Sequence, residues 1–154
     1  HKKMFIKVAS MVIFWRLLRF FFREIYELKR PQDFIFGERD GMDLKDFLYI
    51  DDLVDGLILA MEKLEEFEPI NIASGVPVTI RDVLSEILKS ADYEDADVQY
   101  DSSKPTMIPK RMIDISLAKE KLGFKPKVSL EDGIQRTVDW YKDFYKNSIP
   151  ENSQ

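Results

Sequence analysis

Residues 45–63 read KDFLYIDDLVDGLILAMEK, a short apolar run that passes into a helical pattern without a break. Phe47, Leu48, Tyr49 and Ile50 are apolar or aromatic and predict a short buried strand. Leu53, Val54, Leu57, Ile58 and Met61 recur at helical spacing and predict a helix that ends near Glu66. Asp51 and Asp52 lie between the two. They resemble an acid/base or metal pair, but their position predicts a local role. One caps the helix, and both sit where its dipole favours anions. Lys45 stands two residues before the apolar run, a cation at the entrance to a buried segment.

The flanking pattern is similar. "DFIFG" predicts a strand, and "PINIAS" predicts another, closed by Gly75 and Pro77. Thr79-Ile-Arg-Asp82 is a capping-box pattern, and Ile80, Val83, Leu84, Ile87 and Leu88 give its helix one apolar face. "ADVQY" predicts a strand and "DSSKPTMIPKR" a proline-containing loop. Ser116 is expected to cap a short helix that stops at Gly123. Ser129 to Asp132 forms a second capping box, followed by Leu130, Ile134, Val138, Tyr141 and Tyr145 on one face. Alternation of this kind predicts an α/β fold with some parallel pairing.

The N-terminal stretch differs. "MFIKVASMVIFWRLLRFFFREIYELKR" reads as one helix over roughly 8–29, apolar nearly all round, with the apolar set beginning at Phe5. Its uncharged run, Val8 to Trp15, is far short of the roughly 20 residues that span a bilayer. Residues 1–31 carry a net charge of +6 and the remainder −11, within a total of −5. We therefore divide the chain into a basic apolar helix (1–31), an α/β portion (32–146) and a frayed tail (147–154).

Cysteine is absent, which excludes disulfides and thiolate metal sites and is in keeping with reducing cytoplasm. The one histidine, His1, is terminal, a poor place for a metal ligand or a triad base. No metal site is expected. Nucleic-acid binding is not expected either, since the chain is acidic and has no module signature. Trp140 and Tyr141 read as core and rim rather than a stacking platform.

Taken in order, "DFLYIDDLVDGLILAMEK", "INIASGVPVTIRDVLSEI", "YDSSKP" and "RMIDISLAKEKLGFKPKVSLEDGIQRTVDWY" resemble the C-terminal half of the extended short-chain dehydrogenase/reductases. These are NAD(P)-dependent epimerases, dehydratases and reductases of sugar nucleotides. "YDSSKP" and "VIFWRLLRF" lean toward the GDP-fucose synthase branch. The resemblance implies an extended Rossmann-type α/β fold and the half that grips a nucleoside-diphosphate sugar. The dinucleotide half of such enzymes has a Gly-rich turn and a catalytic Tyr-x-x-x-Lys pair. Glycines 37, 41, 56, 75, 123 and 133 form no such turn. Tyr100 to Lys104 matches Tyr-x-x-x-Lys in letters only, since Lys104 precedes Pro105 and cannot share a helix face with Tyr100. No catalytic or cofactor-binding residue is assigned; NAD or NADP belongs to the complete enzyme.

The same resemblance puts Lys45, usually an arginine, against the diphosphate. It matches Lys104 and Arg19 to further cations there, with Lys110 and Arg111 as weaker candidates. A diphosphate needs several converging cations and donors. Such charges taken singly are most often solvated surface groups. The chain departs from the pattern at Met11, where fucose synthases have a proposed acid histidine, at Phe14, and at Thr106-Met107, which replaces an Asp-Gly turn. The expected partners are a nucleoside-diphosphate sugar and either a complementary N-terminal half or a second copy. Two alternatives stand beside this reading. One is a non-catalytic interaction or membrane-surface module built on helix 5–29; the other is a truncated remnant without function.

Overall fold

The computed structural model describes residues 34–36, 40–103 and 108–148. The segment expected to form the basic apolar helix (1–31), the residues beyond Ser148, and Arg19 and Lys104 lie outside the described residues.

Among the described residues eight elements follow one another: β1 (Phe34–Phe36), β2 (Leu44–Asp46), α1 (Ile50–Lys63), β3 (Pro77–Thr79), α2 (Ile80–Ser90), β4 (Val98–Tyr100), a π-helical turn (Ala118–Leu122) and α3 (Leu130–Ser148). β1 pairs in parallel with β4, Phe34 opposite Val98. β2 pairs antiparallel with β3, Lys45 opposite Val78. On the other side of β2, the Leu44 N–H donates to the Pro109 carbonyl and the Arg111 N–H to the Leu44 carbonyl. Leu44 and Lys110 thus form a parallel bridge, which gives β2 a neighbour on both sides.

The strands at 34–36 and 98–100, all three main helices and the α/β class match the sequence reading. Two strands do not. The apolar run Phe47–Tyr49 is an extended link, and β2 lies before it, because backbone partners exist beside 44–46. The segment "PINIAS" forms no named strand; Asn71 makes a bridge contact, and the strand proper begins at Pro77. Ile70, Ile72 and Ala73 are nonetheless buried, so the segment serves the core.

Local chemistry sets the helix ends. Thr79 and Asp82 close the expected capping box at α2, with both reciprocal hydrogen bonds present. Gly123 takes φ +67 and ends the π-turn, as a C′ glycine does. Ser116 does not cap; its backbone N–H donates to the Asp114 carboxylate instead. Neither Asp51 nor Asp52 caps α1, whose N-cap is Tyr49 without a side-chain bond. Both acids lie in the first turn, where the dipole favours them. Ser129 Oγ accepts from the Asp132 N–H, half of the second box. Helix α3 runs to Ser148, past the expected boundary at 146.

Among the described residues the core has two parts. Ile80, Val83, Leu84, Ile87 and Leu88 on α2 pack on Ile134 and Val138 of α3. Leu53 and Ala60 of α1 pack on Ile70, Ile72, Ala118, Leu122 and Phe124. Fully burying side chains of this size stabilises by about 1.5–3 kcal/mol each. Helix α1 is apolar on a second side as well. Ile50, Val54, Ile58 and Met61 form an outward stripe with 43–69% exposure, so the helical periodicity in the sequence spans two faces rather than one. Gly56 lets α1 approach the core, since a Cβ there would meet Ile72 Cγ2 at 2.6 Å. No helix of the described residues is long and apolar enough to cross a membrane.

Candidate functional site

β2 carries Lys45 and lies beside the segment that holds Lys110 and Arg111. Successive strand residues point to opposite faces. Asp46 is turned inward and 3% exposed, while Lys45 is turned the other way. Lys45 Nζ donates to Asp43 Oδ2 at 3.0 Å and to the Ile108 carbonyl at 2.6 Å. Its side chain is 16% exposed and that of Asp43 13%, so this ion pair is partly withdrawn from water.

The parallel bridge decides which other cations join it. Lys110 is the register partner of Leu44, so it falls on the face opposite Lys45 and is exposed. Arg111 takes the next position, on the Lys45 side, and is half-buried. Thus Lys45 and Arg111 share a strand face, and Lys110 does not join them. Ile108, whose carbonyl holds Lys45, directly follows 104–107 in sequence.

Two buried carboxylates, neither singled out as a ligand group in the sequence, hold the frame. Asp46 Oδ1 accepts from the Ser74 N–H and hydroxyl, and Oδ2 from the Gly75 N–H, each at 2.8 Å. Asp52, 2% exposed, accepts from the Lys127 and Val128 N–H groups at 3.0 Å. Asn71 Nδ2 donates to the Asp114 carbonyl at 3.1 Å. The Asp114 carboxyl is held below its ordinary range, chiefly by its hydrogen bonds from Ser116. Asp43 was legible in principle, because residues two apart on a strand share a face. The partners of Asp46 lie 28–29 residues away and left no local signal.

A shallow cleft is lined by Phe47, Leu48, Tyr49, Val128, Ser129, Leu130, Gly133 and Ile134, and of the described candidate cations neither Lys45, Lys110 nor Arg111 lines it. Tyr100 ends β4 as expected, under the Arg81 guanidinium at 4.8 Å. Trp140 lies at the rim, half exposed, and stacks on Phe144; Tyr141 packs on the core. Among the described residues no group of three or more His, Cys, Asp or Glu is placed to hold a metal ion.

A family model described as GDP-mannose 4,6 dehydratase matches residues 23–137. A putative GDP-L-fucose synthase 2 of Arabidopsis thaliana is 38% identical over 101 residues, which cover 66% of this chain and 30% of that protein. The crystal structure of UDP-glucose 4-epimerase from Thermotoga maritima with UDP-glucose is 34% identical, with a TM-score of 0.65 over 75% of this chain and 37% of that one. A UDP-glucuronic acid 4-epimerase mutant from Bacillus cereus, in complex with a fluorinated UDP-sugar and NAD, is 32% identical, with a TM-score of 0.63 over 72% of this chain and 35% of that one. The chain spans about 30% of the length of the first curated relatives it matches.

The described residues do not fit a dinucleotide. A pyrophosphate is held at a helix N-terminus whose backbone N–H groups are open. Here α1 opens with Asp51 and Asp52, α2 with Asp82 and α3 with Glu131 and Asp132. Each of these first turns already carries an anion, which would repel another.

Proposed function

The chain belongs to the NAD-dependent epimerase/dehydratase family of sugar-nucleotide enzymes, with similarity to the fucose synthases, and from that premise we propose that it binds a nucleoside-diphosphate sugar through the face of β2 that carries Lys45. One observation supports the reading: Leu44 bridges in parallel to Lys110, and alternation from that register gives Arg111 the Lys45 side of the strand, two cations from segments 66 residues apart. Arginine supplies a planar fork for phosphate oxygens, and lysine a point charge. Lys104 and Arg19 complete the proposed cradle. The NAD(P) chemistry of the complete enzyme belongs to a dinucleotide-binding half, and we assign no catalytic residue within the described segments. A cytoplasmic setting is part of this reading, in keeping with a sequence that has no cysteine.

Isothermal titration tests the proposal with UDP, GDP, the two nucleosides, NAD(H) and NADP(H). The diphosphates are expected to bind weakly and the nucleosides and dinucleotides not measurably. Lys45→Ala should weaken the diphosphates about tenfold, an effect that shrinks with added salt, while Lys125→Ala should leave them unchanged. Silence with every diphosphate would remove the nucleotide-sugar reading. Micromolar binding of either dinucleotide would overturn the assignment of the cofactor to another half.

We further propose that the outward stripe of α1 meets a complementary half carrying NAD(P) or, when this chain is alone, a second copy. Apolar faces of this kind mark interfaces. Ile58→Lys together with Met61→Lys is expected to reduce association measured by light scattering at tens of micromolar, roughly the range of weak complexes. A wild-type chain that is a clean monomer there would count against the second copy.

A further inference from the structure

The cation at the centre of the proposed site is already engaged within the chain. An ammonium has three donors. For Lys45 one goes to Asp43 and one to the Ile108 carbonyl, at 3.0 and 2.6 Å. Two of the three donors are thus taken within the chain, one of them by an anion.

We infer that Asp43 sets the affinity and charge preference of this face: its carboxylate occupies Lys45 and opposes any dense anion that approaches. The inference rests on the diphosphate reading above. Asp43 lies two residues before Lys45 and on the same side of the chain, so an anion that reaches Nζ also comes close to its carboxylate. A diphosphate brings two or three negative charges, and a charge a few ångströms away costs it several-fold in affinity even where water screens well. The pair is partly buried, which weakens that screening. Phosphate is thus admitted only when the rest of the ligand or further cations offset the repulsion. The backbone at 43 is anchored independently, its carbonyl accepting from the Ile80 N–H at 3.1 Å. Removing the side-chain charge therefore leaves the link between β2 and α2 in place.

Asp43→Asn keeps the shape and removes the charge. Titration with UDP should show about fivefold tighter binding than wild type, with the gain larger at low salt. Uridine, which has no phosphate, should be unaffected. In a Lys45→Ala background the part of the gain that comes from freeing Nζ should be lost and only the relief of repulsion should remain, a smaller gain that still shrinks with salt, which a general loosening of the fold would not produce. Asp43→Ser serves as a second neutral variant, and both are checked against the wild-type urea midpoint. If wild type binds UDP and neither neutral variant binds it more tightly, the inference fails and the diphosphate reading stands. If no form binds UDP, the diphosphate reading fails and this inference falls with it.

Discussion

Asp52→Ala is expected to lower the free energy of unfolding by about 3 kcal/mol. The carboxylate is 2% exposed and accepts from the Lys127 and Val128 N–H groups, 75 and 76 residues away in the chain. It therefore pins the start of α1 to the segment that leads into α3. Alanine leaves two backbone donors in a part-buried place without an acceptor, at about 1–3 kcal/mol each. Asp51→Ala is the control. Asp51 lies in the same first turn but is exposed, so its loss removes only the dipole contribution, about 0.3–1 kcal/mol. Urea unfolding of both variants gives the comparison, provided the slope is unchanged. Equal midpoints for the two would show that Asp52 does not link the two segments. Asp52→Asn should fall between them, since the amide retains one acceptor oxygen.

This pair shows what could be read in advance. That Asp51 and Asp52 serve the helix end follows from their place before a periodic apolar run, and both do lie in its first turn. That they differ could not be read, because the partners of Asp52 are distant in sequence. The same division runs through the fold. Thr79 and Asp82 are three residues apart, and their capping box was legible. Gly123 was legible as a stop because only its own backbone is involved. By contrast, β2 is a strand because residues 77–79 and 109–111 flank it, and neither neighbour is local. Periodicity alone pointed to Phe47–Ile50, a few residues too late.

Of the proposed site, Lys45 and, as a weaker candidate, Arg111 were named through the family resemblance, and strand alternation from the Leu44–Lys110 bridge gives them the same side. The same register sets Lys110 on the other face, which no spacing rule could foresee. Helix α1 marks another limit. Its apolar residues were read only as recurring at helical spacing; Leu53 is buried and Val54, Ile58 and Met61 are exposed. A helix apolar on two sides gives the same letters whether both sides are covered within the chain or one awaits a partner.

Asp46→Ala is expected to affect both stability and the site. Its carboxylate accepts from the Ser74 N–H, the Ser74 hydroxyl and the Gly75 N–H, each at 2.8 Å, and is 3% exposed. Hydrogen bonds to a buried charge contribute about 1.5–3 kcal/mol each. Their energies are not additive within one cluster, so we expect a total loss of about 3–4 kcal/mol. The turn they hold has little freedom to find another shape. Gly75 sits at φ +72, and a Cβ there would meet Ile115 Cδ1 at 2.8 Å. Ser74→Ala removes the hydroxyl alone and should cost about 1 kcal/mol. Because Asp46 adjoins Lys45 on β2, a loosened turn should also let that strand shift. Wherever the variant remains folded, UDP should then bind more weakly although no cation has been removed. Urea unfolding and titration with UDP read the two effects separately. An Asp46→Ala chain as stable as Ser74→Ala would show that the carboxylate does not anchor the turn. Full stability loss with unchanged UDP affinity would confine Asp46 to the frame and leave Lys45 positioned by Asp43 and the Ile108 carbonyl alone.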